Sequence, residues 1–223
     1  SAMAASVPIV TGDTKVVERG AADKVFINTA GLGIIHQDVA IAADRARPGD
    51  IVITNGTIGD HGIAILLARN ELALESSVES DSQPLHILVQ HMLEACPDLH
   101  CLRDATRGGL ATVLNEFATA SSVNIHVAEA AIPMHETVRG ACEILGLDPL
   151  YLANEGKLVA IVPRDRADAV LAAMRQHPAG THSAIIGEVT ASPAGTVLMT
   201  TAFGGTRVVD TLASQIDLAP TLL

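Results

Sequence analysis

Four short stretches of this chain carry residues able to do chemistry. Asp104-Ala105-Thr106-Arg107-Gly108-Gly109-Leu110 sets an acid at the end of an apolar run, then an arginine and two glycines ahead of a helical pattern. Two adjacent glycines open backbone torsions closed to other residues and let a ligand approach the main chain. Unpaired amides at a helix start attract phosphate. In such a turn Asp104 could hold the magnesium that accompanies nucleotide phosphates, and Arg107 could pair with a phosphate oxygen. The same letters also suit a tight strand-to-helix turn with a capping Asp.

Asn55-Gly56-Thr57-Ile58-Gly59-Asp60-His61-Gly62 repeats that layout with a histidine added. It lacks the Gly-Lys-Ser/Thr ending of a Walker loop, and His61 alone reads as a turn histidine bonded to backbone. Thr11-Gly12-Asp13-Thr14-Lys15 either contacts a phosphate or forms a solvated turn. Asn154-Glu155-Gly156-Lys157 lies between two apolar runs, where two charges need partners or a task, which favours a site. Other combinations are weaker. Gly31 and Gly33 lack the third glycine of a dinucleotide fingerprint, since His36 stands there. His91, Cys96, His100 and Cys101 contain no CxxC or HxxxH pair, so zinc is disfavoured.

The elements that must position these residues follow from periodicity. Apolar runs at 51–54, 99–102, 124–128, 158–162, 183–189, 196–201 and 206–212 read as strands, the last two joined as a hairpin through Phe203-Gly204-Gly205. Helical spacing marks 37–47, 63–72, 84–94, 111–120, 135–145 and 164–176. The stretch 75–83 is polar and Ser-rich and reads as an exposed loop, whereas 213–223 has no clear pattern. Strands alternating with helices and closing on strands indicate an α+β fold, a mixed sheet packed with helices. Residues 7–10 and 24–30 read as two further strands with no core of their own, the tail of a preceding domain.

Composition narrows the function. A formal charge of −11 opposes a nucleic-acid surface, which needs clustered Lys and Arg, but leaves room for a nucleotide. With no Trp, one Tyr and three Phe, the core must come from Ala, Val, Ile and Leu, as suits helices packed on a sheet. Three cysteines in no disulfide-like pattern point to a reducing cytoplasm. The first residues have no basic region or long apolar core and read as no signal peptide; an internal Met after two small residues suggests that the chain begins inside a longer protein. The longest apolar runs, such as 63–68, are far short of a membrane span.

Three motifs stand together: Thr11-Gly-Asp-Thr-Lys-Val-Val17, Asp104-Ala-Thr-Arg-Gly-Gly-Leu110 and Gly146-Leu-Asp-Pro-Leu-Tyr-Leu-Ala-Asn-Glu-Gly-Lys-Leu158. With Gly59-Asp-His-Gly62 they resemble the HypE hydrogenase maturation family, within the superfamily of aminoimidazole ribonucleotide synthetase and selenophosphate synthetase, over nearly the whole chain. The resemblance implies an ATP-dependent carbamoyl dehydratase in the assembly of the nickel-iron hydrogenase cofactor. A carbamoyl group on a C-terminal cysteine is phosphorylated on oxygen, and loss of phosphate leaves a thiocyanate that donates cyanide to iron. The chemistry is sound: phosphorylation turns a poor leaving group into a good one, the enzyme positions the groups and neutralises charge, and a base removes the amide protons.

By the same resemblance, Asp104 is a magnesium ligand and Asp13, Thr14 and Lys15 belong to the ATP site. Gly59, Asp60, His61, Gly62, Arg107, Gly108, Gly109 and Asn154 line the same cleft. Glu155 is the general base, held by Asn154 or Lys157, so Glu155 and Lys157 form the catalytic pair. Residues 1–36 then correspond to the last strands of an N-terminal ATP-binding domain and 37–223 to the C-terminal α/β domain. The implied partners are a HypF-type carbamoyltransferase and the HypC–HypD complex, in a cytoplasmic homodimer.

There are two departures. Most of the family's first domain, which supplies further acidic metal ligands and most of the dimer interface, has no counterpart here. The family's final Pro-Arg-Ile-Cys is also missing: this chain has no cysteine after Cys142, so it is not expected to be carbamoylated at its end. A non-catalytic module docking to maturation partners, or a related ATP-dependent synthetase acting on another small carbonyl substrate, are the alternatives.

Overall fold

The computed structural model describes residues 2–69 and 78–211. The chain divides into two units, Ser1–Asp38 and Val39–Leu223. In the first unit the described residues form turns only, with Val7 N–H donating to the Ala2 carbonyl and Ala21 N–H to that of Glu18. The expected strands at 7–10 and 24–30 do not form. A strand exists only as a rung of a ladder, and here Val10 and Ile27 stand 85% and 82% exposed with no ladder beside them among the described residues.

The second unit is built on a seven-stranded sheet in the order β2-β4-β1-β5-β3-β6-β7. Its strands are β1 (Ile51–Thr54), β2 (Cys101–Asp104), β3 (Asn124–Ala128), β4 (Leu158–Val162), β5 (Ala184–Thr190), β6 (Thr196–Thr200) and β7 (Thr206–Val208). Every pairing is antiparallel except that of β3 with β6, so the sheet is mixed and the fold is α+β. The helices are α1 (Asp60–Ala68), α2 (His86–Ala95), α3 (Gly109–Ser121), α4 (Glu136–Leu145) and α5 (Ala167–Arg175).

Alternation along the central strands sends side chains to two cores. Val52, Val159, Ile161, Ile125 and Val197 face α3, where Leu110, Leu114 and Phe117 complete the larger core. Ile51, Ile53, Leu158, Ala160 and Val162 face the other way, onto Leu88 and Met92 of α2 and Val170 and Met174 of α5. β1 and β4 are buried at every position, and apolar at all but Thr54, because both their faces are covered. A third, smaller cluster joins α1 to α4 through Ile63, Val138, Ala141 and Cys142.

Most expected elements are present, with ends shifted by up to four residues. Residues 164–166 take a 3₁₀ turn after Pro163, so α5 starts only at Ala167. The expected helix at 37–47 is absent: from residue 39 onward the backbone bonds to its neighbours instead of to itself. Ala42 N–H donates to the His100 carbonyl, while Ser121 Oγ accepts from Ala46 N–H and donates to the Ala43 carbonyl. Residues 70–72 of the helix expected at 63–72, 75–77 of the polar loop, and the segment from 212 onward lie outside the described residues.

Ile53 is fully buried between α2, α5 and the neighbouring strands. Ile53→Ala is expected to cost about 2–5 kcal/mol with an unchanged slope in urea unfolding. Burial also pushes the Cys101 thiol up to about 11. Iodoacetamide at pH 8 should therefore label Cys101 only as the chain unfolds, since the thiolate is the nucleophile.

Candidate active site

β1 and β2 finish at the same end of the sheet at which β4 and β5 begin. Asp104 lies opposite Leu158, and Thr54 lies opposite both Val159 and Ala184. The loops leaving that end, 55–59, 105–108 and 153–157, carry most of the residues singled out by sequence. They are tied together by hydrogen bonds between residues far apart in the chain. Ala105 N–H donates to the Lys157 carbonyl at 3.0 Å, and Gly62 N–H to the Ala153 carbonyl at 3.1 Å.

Asn154 is the centre of this arrangement. Its Oδ1 accepts from Gly59 N–H at 2.8 Å, and its Nδ2 donates to the carbonyls of Ala105 at 2.9 Å and Leu152 at 3.0 Å. One fully buried amide thus clamps all three loops, and its oxygen and both of its N–H groups have partners. Asn55, which sequence reasoning did not single out, does the same on the other side. Its Nδ2 donates to the carbonyls of Gly156 and Ala179, and its Oδ1 accepts from Leu158 N–H at 2.8 Å. A buried Asn unable to satisfy its amide would be costly, so both side chains hold loops in place rather than reaching outward.

Asp60 opens α1 and is buried, as suits an acid beside the positive end of a helix. Thr57 Oγ1 donates to its Oδ2 at 2.5 Å and His135 Nδ1 lies 2.8 Å from its Oδ1. Both oxygens are engaged within the protein. Gly59 caps the helix, and the adjacent His61 is directed to Ser80, with Nδ1 2.8 Å from Ser80 Oγ, and toward Glu155, with Nε2 3.9 Å from Oε1.

Lys157 is buried against Asp81, Nζ to Oδ2 at 3.7 Å, with side-chain exposures of 9% and 4%. Asp81 Oδ1 also accepts from Glu155 N–H at 2.9 Å, and Gln83 Nε2 donates to the Gly156 carbonyl. Gly156 has to be glycine, because a Cβ there would lie 2.0 Å from the Asp81 carbonyl oxygen. The exposed loop expected at 75–83 is, over 78–83, a loop with Glu79, Ser80 and Ser82 exposed, whose Asp81 side chain is turned in against the Glu155–Lys157 turn. A buried lysine needs a carboxylate nearby, and that requirement is the one sequence signal for Asp81; nothing in the letters says which acid meets it.

The Asp104 turn differs in character. Asp104 and Arg107 are exposed, and their charged groups make no hydrogen bond or ion pair with any described residue. Gly108 caps α3 at a φ of +72°, and Gly109 at +60° packs so closely on 150–152 that a Cβ would lie 2.5 Å from the carbonyl oxygens of Leu150 and Leu152. The first turn of α3 is thereby fixed at the loop cluster. No group of three or more metal-binding side chains occurs among the described residues. A lone free carboxylate nonetheless suits magnesium, which dehydrates reluctantly and takes one or two carboxylates besides phosphate oxygens.

Asp13, Thr14 and Lys15 belong to the first unit, where all are exposed and Thr14 N–H donates to Asp13 Oδ1 at 2.8 Å. In the second unit, two hollows of about 350 and 410 Å³ lie elsewhere, one beside α4 and Arg207, the other over β3 and β5. Among the described residues no helix is long and apolar enough to cross a membrane.

Comparison with known proteins agrees with these motifs. Residues 47–200 match the family described as AIR synthase related protein, C-terminal domain. The carbamoyl dehydratase HypE of Azotobacter vinelandii is 54% identical over 215 residues, 96% of this chain and 63% of that protein. A crystal structure of the hydrogenase maturation protein HypE in complex with ATP superposes with a TM-score of 0.92 at 51% identity, covering 100% of this chain and 67% of that one. HypE from a HypE–HypF complex gives 0.90 at 45% identity, covering 94% and 69%. The chain spans about 63% of the length of the curated relatives it matches. It belongs to the AIR synthase-related family and, within that family, to the HypE proteins.

Proposed function

We propose that this chain supplies the C-terminal part of an ATP-dependent carbamoyl dehydratase of nickel-iron hydrogenase maturation. The observation that carries this reading is the loop cluster. Asn154 and Asn55 fix three turns at one end of the sheet, leaving Asp104 and Arg107 unpaired on one turn and Glu155 exposed on another. Free charges on a rigid frame are what phosphoryl transfer requires, since its catalysis is chiefly positioning and charge neutralisation.

In this reading Asp104 is the magnesium ligand and Arg107 meets a phosphate oxygen. The backbone around Gly59, Gly62, Gly108 and Gly109 lines the nucleotide cleft. Asp60 and Asn154 serve that cleft by holding its walls, because their polar atoms are already engaged. Asp13, Thr14 and Lys15 of the first unit bind phosphate, with residues 1–36 belonging to an N-terminal ATP-binding domain and 37–223 forming the C-terminal one. Magnesium, when bound, neutralises charge on the phosphates. Glu155 takes protons from the carbamoyl nitrogen, and Lys157, held by Asp81, keeps a positive charge beneath the turn.

The names of the relatives support the assignment: the Azotobacter vinelandii protein is a carbamoyl dehydratase, one solved HypE holds ATP and another is bound to HypF. A HypF-type carbamoyltransferase is accordingly a partner, and the resemblance of the motifs adds the HypC–HypD complex and a cytoplasmic homodimer to the reading.

Calorimetry with magnesium-ATP on the full-length protein tests the reading. Asp104→Asn should weaken binding at least roughly tenfold, the loss of one charge-assisted contact, and leave the melting temperature nearly unchanged. A large fall in melting temperature with unchanged affinity would make Asp104 a structural cap. Asp81→Ala should behave in the opposite way. It strands Lys157 as a buried unpaired charge, so urea unfolding should show a loss of about 3–5 kcal/mol.

A further inference from the structure

Resting on the dehydratase reading, we infer that His61, oriented by Ser80, receives the proton that Glu155 collects and so readies Glu155 for a second deprotonation.

The argument starts from the balance of the reaction. As the carbamoyl oxygen takes the γ-phosphoryl group, the O–P bond forms, ADP leaves, and the nitrogen loses its first proton. As the C–O bond then breaks, the oxygen leaves with phosphate, a C≡N triple bond forms, and the nitrogen loses its second proton. Of the two protons, the first passes from Glu155 onward to solvent, and the second ends on the departing phosphate as hydrogen phosphate. No oxidant or further reactant is needed. A single carboxylate that has accepted the first proton cannot accept the second until it has been emptied.

Among the described side chains near Glu155, one is placed to take that proton from it. The Lys157 ammonium is buried against Asp81 and already carries its full complement of protons. Asp81 is itself buried, its Oδ1 engaged with Glu155 N–H and its Oδ2 facing Lys157. Asp60 is engaged by Thr57 and His135. His61 remains, with Nε2 3.9 Å from Glu155 Oε1. Glu155 is about two-fifths exposed, so rotation of its side chain can bring the two within proton-transfer reach, as loosely set catalytic bonds tighten on substrate binding.

Ser80 decides which ring nitrogen does the accepting. Its Oγ lies 2.8 Å from His61 Nδ1 and also accepts from Ser82 N–H at 3.2 Å. With an Nδ1 proton donated to Ser80 Oγ, the Nε2 lone pair is directed at Glu155, and this is the tautomer the relay uses. His61 acts through Glu155 and is in that sense a positioning residue for the moving proton. It is one-fifth exposed, so the proton has a path onward to solvent.

Single-turnover kinetics on the full-length protein, with magnesium-ATP and S-carbamoylated substrate, separate the two deprotonations. ADP formation reports the first and phosphate release the second. In the wild type the two should run together. In His61→Ala, ADP should form at nearly the wild-type rate while phosphate release falls about 10²-fold, the usual contribution of a positioned acid–base group. Imidazole in the buffer should restore phosphate release roughly tenfold or more, which it would not do for a merely structural histidine. Ser80→Ala, which keeps the imidazole but frees its orientation, should show a smaller lag of the same kind and serves if His61→Ala fails to fold. Equal slowing of ADP and phosphate in both variants, or no lag in either, overturns the inference while leaving the dehydratase reading standing. A wild type that forms no ADP with the carbamoylated substrate overturns both.

Discussion

The arrangement at this end of the sheet depends on one buried amide. Asn154 bonds Gly59, Ala105 and Leu152 at once, so the turns after β1, after β2 and before β4 cannot move independently. Each loop alone would be a short glycine-rich connection with little to fix its shape. Together they share a frame whose hydrogen bonds are shielded from water, where an unmade bond carries its full desolvation penalty. The frame matters because two of the charged groups it carries, Asp104 and Arg107, are not held by partners of their own, and Glu155 faces only His61 at 3.9 Å. Their precision is borrowed from the backbone beneath them.

The sheet places the clamp. Antiparallel pairing of β4 with both β1 and β2 brings the ends of two strands beside the start of a third. Burial on both faces then denies the central strands any sliding, because a slip of one residue would exchange the two cores. The smaller cluster between α1 and α4 holds the Asp60–His135 side of the site against the sheet end. Stability and site geometry thus rest on the same contacts, and a mutation that loosens the cores reaches the loops through the strand ends.

Much of this was legible in the letters, and the reason differs from feature to feature. Strands β1 and β4 are continuous apolar runs, and α3 shows a clean apolar face, so periodicity alone locates them. The Asp104 and Asn154 motifs stood out because charge and glycine together are conspicuous among apolar neighbours. Residues 7–10 and 24–30 misled for the same reason that made 51–54 readable: they are apolar, but a strand is a relation between segments, and periodicity reports only one of them. The segment at 39–47 has helical letters, yet its donors are taken by His100 and Ser121, which lie far along the chain. Asp81 was hidden in a Ser-rich stretch whose polarity is ordinary for a loop. Its burial comes from lying across Gly156, a fact of three dimensions. Asn154 and Asp60 were legible as important residues but not in their manner of acting, since a polar side chain near a glycine turn looks the same whether it meets a ligand or its own backbone.

The distribution of the thiols has a chemical corollary. Cys101 lies in the core beneath α3, Cys96 in the core beneath α2 and α5, and Cys142 in the cluster between α1 and α4. Each is buried in a separate apolar compartment, with Cys96 and Cys101 on opposite faces of the sheet, and burial raises the pKa of all three. No two can cross-link while the native packing lasts. Electrophiles that reach this unit from solvent therefore meet no thiolate among its described cysteines while the fold is intact.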